Sequence, residues 1–355
     1  MSRPEVIGRY FHGVNDEDWD DFRGIWHDDA VVDVVGGVHV QGWDEILPYY
    51  VGALSNFPVH RDDPYRVHIA GETVTVEIAF TGETVDGVPV AFEAVDVFTL
   101  DGGLVRRLTT WYDLDRVLGF LRTPGPPERR LLTLVRHAAS ASPFYHRLFG
   151  ELGLEPDAVA ADLALLPKTH LDEIAAGGLV AVSPREIRQV AAGTVGVVPL
   201  TRADLEERGR IWGDALVLAG VGREDTVLAL DSSPGLVDGV AHVRARFAYA
   251  AGPEAAGITV VIGSAGRLAA SHYGSARALT VLEPAETGVV ASSCSLGTMH
   301  AHTRSHVVEV VDGELVVTPL GARAVPLLRW ATGIAAAWLE EPCPCGSGLP
   351  GILVP

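Results

Sequence analysis

Three consecutive segments of this chain alternate apolar and polar residues with a period of two: TVTVEIAFTGETV (73–85), VPVAFEAVDVFTL (88–100) and LVRRLTTWYDL (104–114). Side chains on a strand point to opposite faces in turn, so each segment can bury one face and wet the other. The intervening VDG (85–87) and LDGG (100–103) are hairpin-turn signals. This pattern commits the region to an antiparallel meander whose apolar face needs a cover. The residues upstream supply one. Val6, Tyr10 and Phe11 share a helical face, and Trp19, Phe22, Ile25 and Trp26 make a second, with Asn15 or Asp16 as its cap. AVVDVV (30–35) reads as a strand and GWDEILPYYVGAL (42–54) as a third helix. Helices first and a curved antiparallel sheet after give an α+β order.

RTPGPPERR (122–130) holds three prolines and a glycine and predicts a stiff, polar connector. The expected layout is a domain over 1–121, a linker over 122–130 and a second domain over 131–355. The second domain opens with helical spacing of Leu131, Leu134 and Val135, which SPFY (142–145) breaks. Short apolar runs follow, TVLALDS (226–232), GITVVIGSA (257–265) and ELVVTPL (314–320), with helical stretches such as 201–220 between them. That alternation predicts an α/β domain, so the fold class is multidomain, an α+β unit followed by an α/β unit.

Composition narrows the partners. A formal charge of −19, with Lys168 the only lysine, argues against nucleic acid and offers no basic patch to anionic lipid. No run of 18 apolar residues is present, so no membrane span is expected, and MSRPEVIGRY lacks the apolar core of a signal peptide. The expected location is the cytoplasm. Heavy use of Ala, Gly, Val, Arg and Asp is a hint of GC-rich bacterial coding.

WHDDAVVDVVGG (26–37), FEAVDVFTLDGGLVRRLTTWYD (92–113) and the helix between them make the first domain similar to the SnoaL-like, ketosteroid-isomerase-like family, whose cone is shared with nuclear transport factor 2. The resemblance implies a cavity inside a curved sheet. It does not fix a reaction, because one fold hosts many chemistries. Asp96 matches the position at which the isomerase's protonated aspartate donates to an oxyanion. Period-two alternation puts Asp96 on one face with Phe92, Ala94 and Phe98. A carboxyl on an apolar face has a raised pKa suited to acid–base work; the alternative is an aspartate facing solvent or a structural partner. Asp33 lies near the isomerase base but one residue out of register, and one step turns a strand side chain to the other face. His60, in VHRDD, is read as a loop residue or a cavity base, and Asp113 as a group at the cone mouth or a cap for the next turn. Of Tyr49 and Tyr50, one hydroxyl reaches the cavity, with Tyr50 the candidate; Trp26 and Trp111 are read as cavity wall or core.

The second domain resembles the phenylacetate-CoA ligase branch of the acyl-adenylate-forming enzymes. RHAASASPFYHRLF (136–149), AAGTVGVVPLTRADL (191–205), GELVVTPLGARAVPLLRWATG (313–333) and EPCPCGSGLP (341–350) carry the likeness in family order. The resemblance implies ATP-dependent activation of a carboxylate and transfer to CoA. The family's phosphate loop, Ser-Ser-Gly-Thr-Thr-Gly-Lys, holds ATP with amides, hydroxyls and a cation. Here Ala191 and Ala192 replace the serines, Val195 the second threonine and Val197 the lysine, while Gly193, Thr194 and Gly196 remain. Leu282 stands for the tyrosine of the adenine motif, in which Glu286 survives. Ile334 stands for the ribose-binding aspartate, and as a buried apolar residue it cannot accept hydroxyl hydrogen bonds. Roughly a hundred family residues have no counterpart between 235 and 257, and none of the family's mobile C-terminal domain follows CPCG. ATP is therefore not expected as a cofactor.

All three cysteines, Cys294, Cys343 and Cys345, fall with His300 into a Cys/His/Cys-x-Cys set that some members of this family use for zinc. Four soft or borderline ligands suit tetrahedral Zn²⁺, and a complete Cys₃His set leaves no position for water, so the expected ion is structural. His302 and His306 are alternates for His300. The competing reading is three reduced cysteines beside a surface histidine.

Together these features lead us to expect cyclase- or isomerase-like acid–base chemistry in the cone, on a polyketide-like intermediate of secondary metabolism as the resemblance implies. The zinc-bearing ligase-like domain would serve binding or assembly, toward a carrier protein or a second copy in a homodimer. One alternative is a non-enzymatic scaffold in which both domains have lost chemistry. Another is acyl transfer without ATP.

Overall fold

The computed structural model describes residues 2–178, 180–194, 196–248 and 257–354. Val195 and residues 249–256 lie outside that set, so the lost-threonine position and part of the 235–257 stretch do too. The chain divides into two compact units, Met1–Arg129 and Arg130–Pro355.

The first unit contains α1 (Arg3–Asp16), α2 (Trp19–Arg23), β1 (Trp26–Val34), β2 (Val38–Gln41), α3 (Trp43–Leu54), β3 (Val59–Ala70), β4 (Thr73–Glu83), β5 (Pro89–Asp101), β6 (Leu104–Tyr112) and α4 (Leu114–Arg122). The sheet order is β2-β1-β6-β5-β4-β3. The meander forms as expected, and its register sets Val76 opposite Asp96, Ile78 opposite Ala94 and Phe80 opposite Phe92, with Asp96 in turn opposite Thr110. The helices cover the concave face, where Val6, Tyr10, Phe22, Ile46, Val76 and Phe98 form one apolar core. Asp18, rather than Asn15 or Asp16, caps α2, accepting from the Asp21 N–H at 3.1 Å.

One strand departs from the sequence expectation. VHRDDPYRVHIA is polar enough to read as a loop, yet it forms β3 and pairs along its length with β4. An edge strand with one wet face does not need strict apolar alternation, because its partner supplies the register.

The second unit carries α5 (Pro127–Ala141), α6 (Pro143–Leu152), α7 (Pro156–Ala161) and α8 (Leu171–Gly177). Next come the hairpin β7 (Ile187–Gly193) and β8 (Gly196–Thr201), α9 (Arg202–Leu218), β9 (Thr226–Ala229), α10 (Leu236–His242), β10 (Arg246–Phe247), β11 (Val260–Gly263), α11 (Ala265–Ala269) and β12 (Arg277–Leu282). The chain closes with β13 (Ala291–Ser293), β14 (Met299–Ala301), β15 (His306–Val311), β16 (Glu314–Pro319), β17 (Trp330–Ala335), β18 (Ala337–Trp338) and β19 (Ile352–Leu353). Strands β10-β9-β11-β12 run parallel, and β13 and β14 extend that sheet antiparallel.

The proline-rich segment is mostly helical at its ends. Helix α4 runs to Arg122 and α5 begins at Pro127, leaving only 123–126 irregular. Proline at a first helical position forfeits no hydrogen bond and arrives with the right φ, so it starts α5 instead of interrupting it.

Candidate functional site

In the first unit the apolar faces of β4 and β5 leave a cavity of about 120 Å³. Aromatic residues Tyr49, Phe57, Phe80, Phe92 and Tyr112 wall it, with Phe80 and Phe92 stacked at 4.5 Å. Its polar lining is Tyr10, Tyr50, Asp62, Asp96 and Thr110.

Asp96 is 2% exposed, placed inward by the alternation of β5. Thr110, its cross-strand neighbour, donates to Asp96 Oδ1 at 2.6 Å, and the Tyr10 hydroxyl is a second partner. Tyr10 and Tyr50 share a hydrogen bond of 3.0 Å between their hydroxyls. Burial pushes the Asp96 carboxyl up to about 7, Thr110 opposes the rise, and Asp62 adds to it. Burial also drives both tyrosine hydroxyls well above the usual range, and Asp96 adds to it, so they act as neutral donors. A neutral carboxyl beside neutral phenols can place donors on an oxygen that gains charge.

The other cone candidates lie elsewhere. Asp33 is on the outer face of β1, because Val32 and Val34 take the inward positions. It is bound there to His39 Nδ1 at 2.7 Å and paired with Arg107, so it is not a cavity base. Asp113 caps α4, accepting the Arg116 N–H at 3.0 Å. His60 sits on β3 rather than in a loop, and both ring nitrogens face main-chain carbonyls, Phe57 at 3.0 Å and Val14 at 3.1 Å. That spends the ring on tying β3 to α1. Tyr50 does line the cavity, and Trp26 is core at 2% exposed, but Trp111 points outward at 59%.

Sequence reading missed Asp62 and Tyr10 as site residues. Asp62 faces Phe80 across β3 and β4, so it shares the inward face with Ile78, Phe92 and Asp96. Burial lifts its carboxyl to about 6, with His60 pulling the other way. The signal was present in the spacing of His60 and Asp62, but only the pairing with β4 says which face is inside.

In the second unit the glycine-rich segment is the tip of the β7–β8 hairpin, and Thr201 caps the helix that follows in a reciprocal box with Asp204. The Thr194 N–H donates to Glu286 Oε1 at 2.6 Å, so a protein carboxylate occupies an amide of the loop. Glu286 is 4% exposed, and a side chain at Gly193 would meet it at 2.9 Å. Val197 is 62% exposed and carries no charge. Ile334 is half-buried rather than buried, since it lies near the open end of β17.

Cys294 follows β13, His300 lies on β14, and Cys343 and Cys345 lie on the turn before β19. Their ligand atoms all fall within 4.8 Å of one another. Cys294 Sγ and Cys343 Sγ are 3.9 Å apart, and Cys345 Sγ is 3.4 Å from His300 Nε2. A tetrahedron with zinc–ligand bonds of roughly 2.0–2.3 Å has edges of about 3.5–3.8 Å, so the donor set fits that ion. His300 Nδ1–H donates to the Leu349 carbonyl at 2.9 Å, which turns the Nε2 lone pair toward the thiols. The alternates are engaged elsewhere: His302 Nε2 lies 2.9 Å from Ser292 Oγ, and His306 Nε2–H donates to the Thr287 carbonyl at 3.2 Å.

Among the described residues no helix is long and apolar enough to cross a membrane. Residues 7–108 match the model of the SnoaL-like domain family. A search of curated proteins returned no match. A solved 2-hydroxyisobutyryl-CoA ligase, in complex with 2-hydroxyisobutyryl-AMP and CoA, is 19% identical with a TM-score of 0.54, over 63% of this chain and 65% of its own. TerC, co-crystallised with polyporic acid, is 17% identical with a TM-score of 0.32, over 34% of this chain and 97% of its own. A nuclear transport factor 2-like protein of Burkholderia pseudomallei is 14% identical with a TM-score of 0.33, over 35% of this chain and 100% of its own. The chain thus carries a SnoaL-like domain at residues 7–108, followed by a second domain similar in fold to an adenylate-forming ligase.

Proposed function

We propose that the cone performs acid–base chemistry, a cyclisation or isomerisation, on a small neutral polyketide-like substrate, and that the second domain does not adenylate but serves binding or assembly. The observation that carries the first half is the hydrogen-bonded row Thr110–Asp96–Tyr10–Tyr50 along an apolar cavity. Neutral donors of this row would stabilise a carbonyl oxygen that gains charge as a neighbouring C–H bond breaks. At about 120 Å³ the cavity is near the size that holds one benzene-sized ring, so a larger substrate would enter by one end.

The loop of the second domain supports the second half. It lacks the lysine and three hydroxyls, and Glu286 already accepts its Thr194 amide. A triphosphate would have to displace a carboxylate and would find valine in place of the loop lysine at position 197. Cys294, His300, Cys343 and Cys345 would hold one structural Zn²⁺, which would tie the β13–β14 hairpin to the C-terminal turn. A carrier protein or a second copy of the chain is the partner we assign to this domain, in the cytoplasm.

The test is elemental analysis and calorimetry on one purified sample, first with Mg-ATP and then with small phenols as oxyanion mimics. About one zinc per chain, no heat with Mg-ATP and saturable phenol binding are expected. Saturable Mg-ATP binding would overturn the non-adenylating half. A cavity that takes no phenol would favour the scaffold reading, in which the stacked Phe80 and Phe92 act as filling.

A further inference from the structure

The cone cavity has a polar end and an apolar end. Its lining residues on β5 step back from Asp96 through Ala94 to Phe92, two residues at a time. At about 3.4 Å per residue, Phe92 lies roughly 13 Å along the strand from Asp96. Thr110 and Val76 stand opposite Asp96, whereas Phe80 stands opposite Phe92. At the Phe92 end the wall is a small apolar cluster separate from the main core. Phe57, Phe80, Val90 and Val117 form it, and Phe92, Tyr112 and Phe120 pack against it.

Val117 and Phe120 come from α4, which begins after the residues matched to the SnoaL-like family end at 108. Among the described residues Val117, at 7% exposed, is the one position of α4 in the cavity lining. The helix is pinned on both sides. Asp113 caps its start, and a side chain at Gly36 in the β1–β2 turn would begin 3.0 Å from Leu114 Cδ2. Beyond its end, Gly125 is buried against the β4–β5 turn, where a Cβ would fall 1.8 Å from the Asp86 carbonyl oxygen. Arg129 then pairs with Glu83 of β4 at 3.6 Å.

We infer that α4 is the end wall of the cavity and that Val117 sets the length of ligand it accepts, so that the cone selects a single ring bearing at most a short apolar group opposite its oxygen. The inference rests on the reading of the cone as a small-molecule site with its donors at the Asp96 end, and deepens it. Phe57, Phe80, Phe92 and Val117 offer no polar atom, so a charged or hydrated group at that end would lose its water without replacement. A longer apolar group would have to push Val117 outward, and the contacts that pin α4 oppose that movement.

The test is calorimetry on the full chain with phenol, para-cresol, para-ethylphenol and para-propylphenol, because each added carbon reaches further from the hydroxyl toward α4. The wild type is expected to bind para-propylphenol roughly tenfold more weakly than para-cresol. Val117→Ala should remove that penalty and make para-propylphenol the tightest of the four, since the added carbons are then buried. Val117→Phe should bring the penalty down to para-cresol. Leu118→Ala alters a half-buried neighbour on α4 outside the lining and should keep the wild-type order, which separates the wall from a loosened helix. An identical length preference in wild type, Val117→Ala and Val117→Phe, with phenol bound by all three, overturns the wall and leaves the donor row standing. A shift in Leu118→Ala as large as that in Val117→Ala overturns the assignment to Val117. Absence of phenol binding in every protein overturns the small-molecule reading of the cone together with the wall.

Discussion

The cone cavity and the β7–β8 hairpin of the second domain each centre on a buried glutamate or aspartate, and they use it in opposite ways. Asp96 points into a space that the surrounding side chains leave open, and its partners are hydroxyls. Glu286 points onto the Thr194 main-chain amide, and the neighbouring glycine has room for little else. A carboxyl held by hydroxyl donors at the edge of a cavity keeps the option of donating or accepting a proton. One spent on a backbone amide completes the fold and blocks an anion. Residue type does not distinguish the two; the vacancy beside each does.

The largest effect is expected at the cysteine cluster, because an ion joining two loops contributes its binding energy to folding. A chelator, or Cys345→Ser, should lower the melting temperature of the second domain by roughly 10 °C or more. Hydrogen exchange should report the loss at β13 and β14 and leave the cone unchanged. A melting curve indifferent to chelation would remove zinc from the comparison.

The next effect is the pH dependence of the cone. The folded state holds the Asp96 proton up to about 7, whereas the unfolded carboxyl releases it near its ordinary value of 3.8. Between those limits the folded state binds more protons, so the contribution is fully present below about pH 4 and is lost as pH rises through about 7. The size is on the order of 4 kcal/mol at most. Urea unfolding followed by exchange of the β4–β6 amides should show this slope, and Asp96→Asn should reduce it to the smaller part that the raised Asp62 carboxyl contributes. A cone whose stability is level from acid to neutral pH would mean that Asp96 is ionised and that the donor row is misassigned.

Smaller effects sharpen the contrast from the other side. Glu286→Ala leaves a shielded amide without its partner and should cost about 1–3 kcal/mol, while Mg-ATP calorimetry stays flat. Heat from Mg-ATP in that variant would show that the loop is merely plugged and still able to bind. Asp33→Ala removes a pairing on the outer sheet face and should cost less than about 1 kcal/mol, with para-nitrophenol affinity unchanged. A weakened affinity would place Asp33 back in the site.

Much of this was legible in the residues. The meander, its hairpins and the inward position of Asp96 follow from strict alternation over 73–114. The cysteine and histidine set follows from ligand type and the Cys-x-Cys spacing, since few other uses bring three thiols and an imidazole together. Trp111 and Asp33 were harder, because a strand residue changes face with a single step of register. His60 and Asp62 were hardest, since an edge strand rich in charge carries no apolar period to count.

The sequence by itself determined the alternation, the two-part composition, the absence of a phosphate-binding lysine at Val197 and the donor types around Cys294. Each of these is a local property, fixed by residue identity and near neighbours along the chain. Only the tertiary structure decided that Asp62 and Asp96 share one cavity, that Asn15 clamps Asp62 from 47 positions away, and that Glu286 closes the loop at Thr194. Those facts depend on which faces meet across strands and helices distant in sequence, and burial, which sets the chemistry of a carboxyl, exists only once the faces have met.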